Sequence, residues 1–123
     1  MREIKFRAWD KKLKIMSTPF TLLEAFHDYF LLTTDMDVMQ YTGIKDPTGK
    51  EIYEGDIVKA EKSTFQCETP LEVRFGFYHP LDEVEYGWYV KGKFESSLVW
   101  YEIDKLDYLE VIGNIYENPE LIN

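Results

Sequence analysis

The sequence lacks the cysteines and the long apolar runs that mark secreted and membrane proteins. Its one cysteine, Cys67, excludes an intramolecular disulfide framework and a cysteine metal cluster. No apolar stretch approaches the ~20 residues that a membrane span requires. The N-terminus, MREIKFRAWD, alternates in polarity and does not form the apolar run of a signal peptide. We therefore expect a soluble protein of a reducing cytoplasm.

Basic residues are also scarce. The chain carries 14 Lys and Arg against 23 Asp and Glu, which gives a net charge of -9. A field of that sign repels nucleic-acid phosphates and anionic lipids, although it does not exclude a local basic patch. We expect no membrane partner, and a protein partner is favoured over a nucleic acid.

Patterns for nucleophilic catalysis are missing. Cys67 lies next to Glu68, whose negative charge disfavours a reactive thiolate. The two histidines, His27 and His79, are far apart in sequence, so their spacing gives no evidence of a catalytic base for the cysteine. We therefore expect a non-enzymatic protein.

Patterns for metal and cofactor binding are missing too. The sequence has no H-E-x-x-H, C-x-x-C or EF-hand motif, and the acidic clusters at 35–37 and 82–85 are typical of solvated loops. Gly43, Gly49 and Gly55 form no phosphate-binding loop, because no strand–loop–helix unit surrounds them. We therefore expect neither a metal nor a cofactor.

Aromatic residues, by contrast, are abundant, at 16% of the 123 residues. Phe, Tyr and Trp favour strands and bury a large area each, which suits a small β-rich domain. A chain of this length forms one domain, spanning residues 1–123.

The N-terminal segment predicts a β-hairpin over residues 2–16. Ile4, Phe6 and Ala8 recur at every second position, which is the period of a half-buried strand, and Trp9 points to the opposite face. A return strand begins at Leu13, after the polar stretch that follows Trp9.

One short helix is predicted at about residues 20–31, and two starts fit the sequence. Thr18 can serve as N-cap before Pro19, or Thr21 and Glu24 can form a capping box. The apolar residues that share one face of this helix are Leu22, Leu23, Phe26, Tyr29 and Phe30.

The stretch Asp46-Pro-Thr-Gly-Lys-Glu-Ile-Tyr-Glu-Gly-Asp-Ile-Val58 contains two turn signals. Asp46, Pro47 and Gly49 suit a hairpin turn, and Gly55 permits a second bend. Asn118 and Pro119 predict a short C-terminal helical turn. The strands expected after the helix lie at residues 38–43, 57–60, 71–78, 87–90, 97–102 and 109–116. Together these elements predict a mainly β fold, a small barrel or sandwich. The Gly-Asp-Ile-Val segment after the second bend resembles the strand entry of SH3-like barrels, which implies a small SH3-like or partly open β-barrel.

Adjacent aromatic residues provide the candidate binding groups. In Trp88-Tyr89 and Trp100-Tyr101 the two rings point to opposite faces of a strand, so one ring of each pair faces the core. The other ring then faces solvent, a covering helix or a partner. With Trp9, the candidate partner-binding residues are Trp9, Trp88, Tyr89, Trp100 and Tyr101.

Three blocks of the sequence resemble the YopX family of small phage and prophage proteins. They are IKFRAWD, MQYTGIKDPTGKEIYEGDIV and VIGNIYENPEL, in the family's order and across nearly the whole chain. The resemblance implies a mainly β domain with a barrel-like core and inserted segments, encoded by a mobile genetic element. It implies no biochemical activity, so no catalytic or binding residue is carried over.

Two functions from different classes fit these observations. The first is an acidic phage accessory protein that binds a host or phage protein, in one version by mimicking nucleic-acid phosphates. The alternative is a nucleic-acid-binding module that uses an SH3-like barrel face, with Lys5, Arg7, Arg74 and Lys91 as contacts. Exposed barrel edges also leave a homo-oligomer open.

Overall fold

The computed structural model describes residues 3–27, 35–61, 70–78, 84–94, 97–103 and 108–122. Within these ranges the chain forms two antiparallel sheets, one short α-helix and one 3-10 helix. The elements are β1 (Phe6–Asp10), β2 (Ile15–Met16), α1 (Leu22–His27), β3 (Met36–Lys45), β4 (Glu51–Tyr53), β5 (Asp56–Glu61), β6 (Leu71–Tyr78), β7 (Glu85–Phe94), β8 (Ser97–Glu102), β9 (Tyr108–Asn114) and the 3-10 helix (Pro119–Leu121).

The first sheet has the strand order β2-β1-β3-β4 and contains the predicted N-terminal hairpin. The Asp10 carboxylate accepts the backbone N–H groups of Lys12 and Leu13, both at 2.9 Å, which closes the β1–β2 turn. Trp9 lies on the opposite face from Phe6 and Ala8, as the alternation predicts. Ile4, however, precedes β1 and is exposed, so its expected place in the core was wrong.

The second sheet has the order β8-β7-β6-β5-β9 and confirms the small, mainly β barrel fold. Strands β5 to β8 follow one another as a meander. Strand β9 then returns beside β5, with pairing from Asp56↔Asn114 to Glu61↔Tyr108. This connectivity is that of an SH3-like barrel, and the sheet curls into half a barrel.

One hydrophobic core joins the two sheets. Ile52 of the first sheet packs with residues of the second, and these side chains are almost fully buried. Burying each such aliphatic side chain contributes about 1.5–3 kcal/mol. The other buried members of this core are Val58, Leu71, Val73, Trp88, Val90, Ile103 and Leu109.

The first predicted turn between β3 and β4 is confirmed. The N–H of Gly49 donates to the Asp46 carbonyl at 2.9 Å, and Gly49 has φ +90°, a conformation that favours glycine. The Asp46 carboxylate accepts hydrogen bonds from Thr48, Lys50 and the N–H of Val111. Burial alone would raise the pKa of Asp46, but these hydrogen bonds outweigh it and hold the pKa below its ordinary value.

The second turn carries the chain from one sheet to the other. Gly55 has φ +87°, its N–H donates to the Val73 carbonyl, and its carbonyl accepts the N–H of Ile115, both at 2.9 Å. A Cβ added to Gly55 would lie 3.2 Å from the Met39 sulfur, so the Met39 side chain would have to shift by a few tenths of an ångström. Both turns of the segment therefore serve the fold.

Helix α1 begins with the capping box. The Thr21 hydroxyl accepts the N–H of Glu24 at 3.3 Å, and the Glu24 carboxylate accepts the N–H of Thr21 at 3.2 Å. The structure therefore selects the later of the two predicted starts. No helix in the described part of the chain is long and apolar enough to cross a membrane.

Leu22 and Leu23 were predicted to lie on the packed apolar face of α1. That prediction is wrong, because both residues are exposed, and Leu23 is 68% exposed. The contact with β1 comes instead from Ala25 and from Phe20, which forms a bridge with Phe6 just before the helix. The predicted helix residues 28–31 lie outside the described residues.

The C-terminal helical turn is confirmed as the 3-10 helix, but its expected cap is not. Asn118 precedes Pro119 without capping the helix through its side chain. Its side-chain oxygen instead accepts the N–H of Asn114 at 3.2 Å. The residue that sequence reasoning assigned to the helix thus secures the end of β9.

Candidate interaction surface

Strands β6 and β7 extend beyond the strands that flank them. Strand β5 pairs with β6 only at Leu71 and Glu72, and β8 pairs with β7 from Tyr89 onwards. Residues 75–78 and 85–88 therefore pair only with each other among the described strands, in one continuous register. We call these eight residues the ribbon.

One face of the ribbon is covered with aromatic side chains. The cross-strand pairs Phe75↔Trp88 and Phe77↔Tyr86 place four rings on the same side, because side chains two residues apart share a face. Ring centroids lie 4.8 Å apart for Phe75–Trp88 and Phe77–Tyr86, and 5.3 Å apart for Phe75–Tyr86. We call these four residues the aromatic face.

The aromatic face becomes more exposed along its length. Trp88 is 8% exposed and belongs to the core, Phe75 is 41% exposed, Tyr86 61% and Phe77 71%. The contacts between neighbouring rings favour this arrangement, so the rings lose less side-chain freedom on binding than isolated exposed rings would. Clustered exposed apolar side chains of this kind mark interaction sites.

The opposite side of β6 and β7 carries two buried rings. Tyr78 and Tyr89 stack with their centroids 4.7 Å apart, and both are buried. This stack covers the reverse side of the ribbon at Tyr78 and supports the aromatic face from behind. A preorganised surface loses less entropy on binding than a mobile one.

The aromatic residues singled out in the sequence lie mostly elsewhere. Trp9 is buried and stacks on Tyr116 at 5.5 Å, and Tyr89 is buried behind the ribbon. Trp100 and Tyr101 are half-buried in β8. Only Trp88 belongs to the aromatic face, at its buried end. The partner-binding role of these five residues stays a prediction, and three of them, Trp9, Trp88 and Tyr89, are buried.

Sequence reasoning missed Phe75, Phe77 and Tyr86. Their alternation with Gly76 and Gly87 was visible, but alternating aromatics equally predict a strand that faces the core. What distinguishes them is that the neighbouring strands end before they do. That depends on strand pairing, which a single sequence does not specify.

The basic residues proposed for nucleic-acid binding are divided between the sheets. Lys5 and Arg7 belong to the N-terminal segment of the first sheet, whereas Arg74 lies on β6 and Lys91 on β7. Lys5 and Arg7 do lie near rings, at 5.1 Å from the Tyr41 centroid and 4.8 Å from the Tyr53 centroid. Both rings are buried, so neither is available to stack on a base.

Carboxylates neutralise several of these cations. Lys5 pairs with Glu3 at 2.7 Å and with Glu51, and Arg74 lies 3.5 Å from Glu72. Acidic and basic side chains are therefore interleaved at these places. Such mixing weakens both the nucleic-acid alternative and a surface that mimics a row of phosphates.

A buried ion pair joins the two sheets. A terminal nitrogen of Arg7 donates to Asp56 at 2.7 Å, and the second Asp56 oxygen accepts the N–H of Tyr53 at 2.8 Å. Burial raises the pKa of Asp56 against the opposing effect of the Arg7 charge. Within the described structure the buried Nε of Arg7 has no hydrogen-bond partner.

The three blocks that carry the family resemblance meet in this framework. Arg7 comes from the first block, Asp56 from the second, and Ile115, which donates to the Gly55 carbonyl, from the third. The motifs that are distinctive in sequence thus bond to one another. The aromatic face lies between the second and third blocks, on a segment that those motifs do not include.

The fold and the framework define a small half-barrel protein with an aromatic ribbon. A model of the YopX protein family matches residues 22–123, and the chain belongs to this family. Among solved structures, the chain is similar to protein EF1440 from Enterococcus faecalis, with 22% identity over 100% of both chains and a TM-score of 0.48. No curated protein matches the chain.

Proposed function

We propose that this protein is a non-enzymatic interaction module of phage or prophage origin, acting in the cytoplasm of a bacterial host. The observation that carries the proposal is the aromatic face, where Phe75, Phe77 and Tyr86 are exposed on a ribbon that the stacked Tyr78 supports from behind. Aromatic residues are enriched at the energetic centres of protein interfaces, because each ring buries a large area at low entropic cost. The phage origin is what the family resemblance implies.

The charge of the chain indicates the kind of partner. The net charge is -9, Glu85 is exposed on the ribbon, and Asp82 and Glu83 lie in the sequence between the two ribbon strands. A partner with an apolar cleft bordered by Lys and Arg would match both features. Its association rate would fall as salt increases, because opposite charges steer the encounter.

The proposal is tested by capturing partners from host lysate with the tagged protein. The lysate is divided, and one half is treated with nuclease. We expect the same protein partner from both halves, because the aromatic face binds protein directly. Recovery that depends on intact nucleic acid would contradict the proposal and favour the nucleic-acid alternative.

A further inference from the structure

The outer edge of β6 carries backbone groups that no other described residue pairs with. The Val73 carbonyl accepts the N–H of Gly55, so the backbone groups of Val73 point away from β7. Backbone N–H and C=O groups alternate sides along a strand. The register with β7 continues without a shift past Gly76, whose φ is +138°, so the backbone groups of Phe75 and Phe77 point outward as well. In the part of the chain that the structure describes, no backbone group pairs with them there.

This edge lacks the usual protection. Natural edge strands carry charges, proline or a bulge that prevents pairing with another chain. Residues 75–78 are Phe-Gly-Phe-Tyr, with no charge and no proline, and the register with β7 has no shift. Residues 75–78 are thus suited to accept another strand.

We propose that two copies of the chain pair antiparallel through this edge, with the two-fold axis at Gly76. Phe75 of one copy then lies opposite Phe77 of the second copy, and Gly76 lies opposite Gly76. Since the backbone groups of Phe75 and Phe77 point outward, each Phe75–Phe77 pair exchanges both of its hydrogen bonds. The register centred on Gly76 therefore satisfies all the outward backbone groups of Phe75 and Phe77 in both copies.

The side chains suit this register on both faces. Phe75 and Phe77 of the two copies become cross-strand neighbours, an arrangement that stabilises sheets. On the other face Arg74 lies opposite Tyr78 of the second copy, so no like charges oppose each other. The two aromatic faces then form one continuous surface. The pairing uses the strand edge and goes beyond the binding of a different protein by the aromatic face.

Two measurements on the full chain test the pairing. Sedimentation equilibrium gives the oligomeric state and dissociation constant, and NMR gives the exchange rate of each amide hydrogen. We expect a dimer in which the Phe75 and Phe77 amides exchange at least about tenfold more slowly than at dilutions where the monomer dominates. The Arg74 and Gly76 amides, which point towards β7, serve as internal controls.

Two substitutions at one position separate the backbone from the ring. Phe77→Pro removes the outward N–H without removing a β6–β7 hydrogen bond, whereas Phe77→Ala removes the ring and keeps the N–H. Phe77→Pro loses one hydrogen bond from each copy, so we expect its dissociation constant to be about 30-fold higher than that of Phe77→Ala.

Three results would overturn the proposal. They are a chain that stays monomeric at the highest soluble concentration, a dimer whose Phe75 and Phe77 amides exchange as fast as in the monomer, and equal dimerisation of the two variants. If Phe77→Pro does not fold, the amide-exchange measurement on the unaltered chain still tests whether the two copies pair. Capture of a different protein by a monomeric chain would leave the proposed function standing and this pairing refuted.

Discussion

Arg7 and Asp56 show how single residues define this fold. Both side chains are buried, and Arg7 donates a hydrogen bond to Asp56. The Asp56 carboxylate also accepts the N–H of Tyr53, where the turn between the sheets begins. A buried charge that loses its partner keeps the full cost of removal from water. We therefore assign this pair to the framework that joins the two sheets.

The pair predicts a strong dependence of stability on both partners. Arg7→Met or Asp56→Ala alone should lower the free energy of unfolding by about 3–5 kcal/mol, because each leaves one buried charge unpaired. The double variant should lose less than the sum of the two, since it leaves neither charge. Urea denaturation measures all three.

The exposed pair Arg74–Glu72 provides the matched control. Its atoms lie 3.5 Å apart and Arg74 is 44% exposed, so Arg74→Met should change the free energy of unfolding by less than about 1 kcal/mol. Strict additivity of the Arg7 and Asp56 substitutions would show that the two residues do not depend on each other.

Among the elements, the turns could be predicted from sequence and the packing of the helix could not. Asp46, Pro47 and Gly49 specify a local conformation whose hydrogen bonds lie within a few residues. The exposed positions of Leu22 and Leu23 depend on where α1 meets β1, a contact between distant parts of the chain. Helical periodicity gives a face but not the surface against which that face packs.

The start of α1 gives a prediction at this scale. Thr21→Ala should destabilise the protein by about 1 kcal/mol, because the substitution removes the acceptor for the N–H of Glu24. Thr18→Ala, at the other start that the sequence allowed, should have little effect. Thermal unfolding of both variants makes the comparison. A larger loss for Thr18→Ala would place the functional cap at the earlier start.

At the scale of the whole molecule, the three blocks that resemble the YopX family and the aromatic face lie in different parts of the structure. Most of the strands followed from periodicity and turn residues, and the SH3-like connectivity followed from the resemblance of residues 55–58 to the strand entry of such barrels. The aromatic face did not, because its exposure results from β5 and β8 ending short of the ribbon. Residues that are distinctive in sequence thus build the framework, and the surface most suited to binding lies on the segment between them.

The central claim is that the aromatic face is the interaction surface. Its most direct test compares partner recovery from nuclease-treated lysate by the unaltered chain and by Phe77→Ser/Tyr86→Ser, which changes two highly exposed rings. The control is Leu13→Ser/Ile15→Ser, which changes two exposed apolar residues of the β1–β2 hairpin. We expect the first variant to recover at least about tenfold less partner than the unaltered chain, and the control to recover the same amount as the unaltered chain. Equal recovery by all three proteins would contradict the claim.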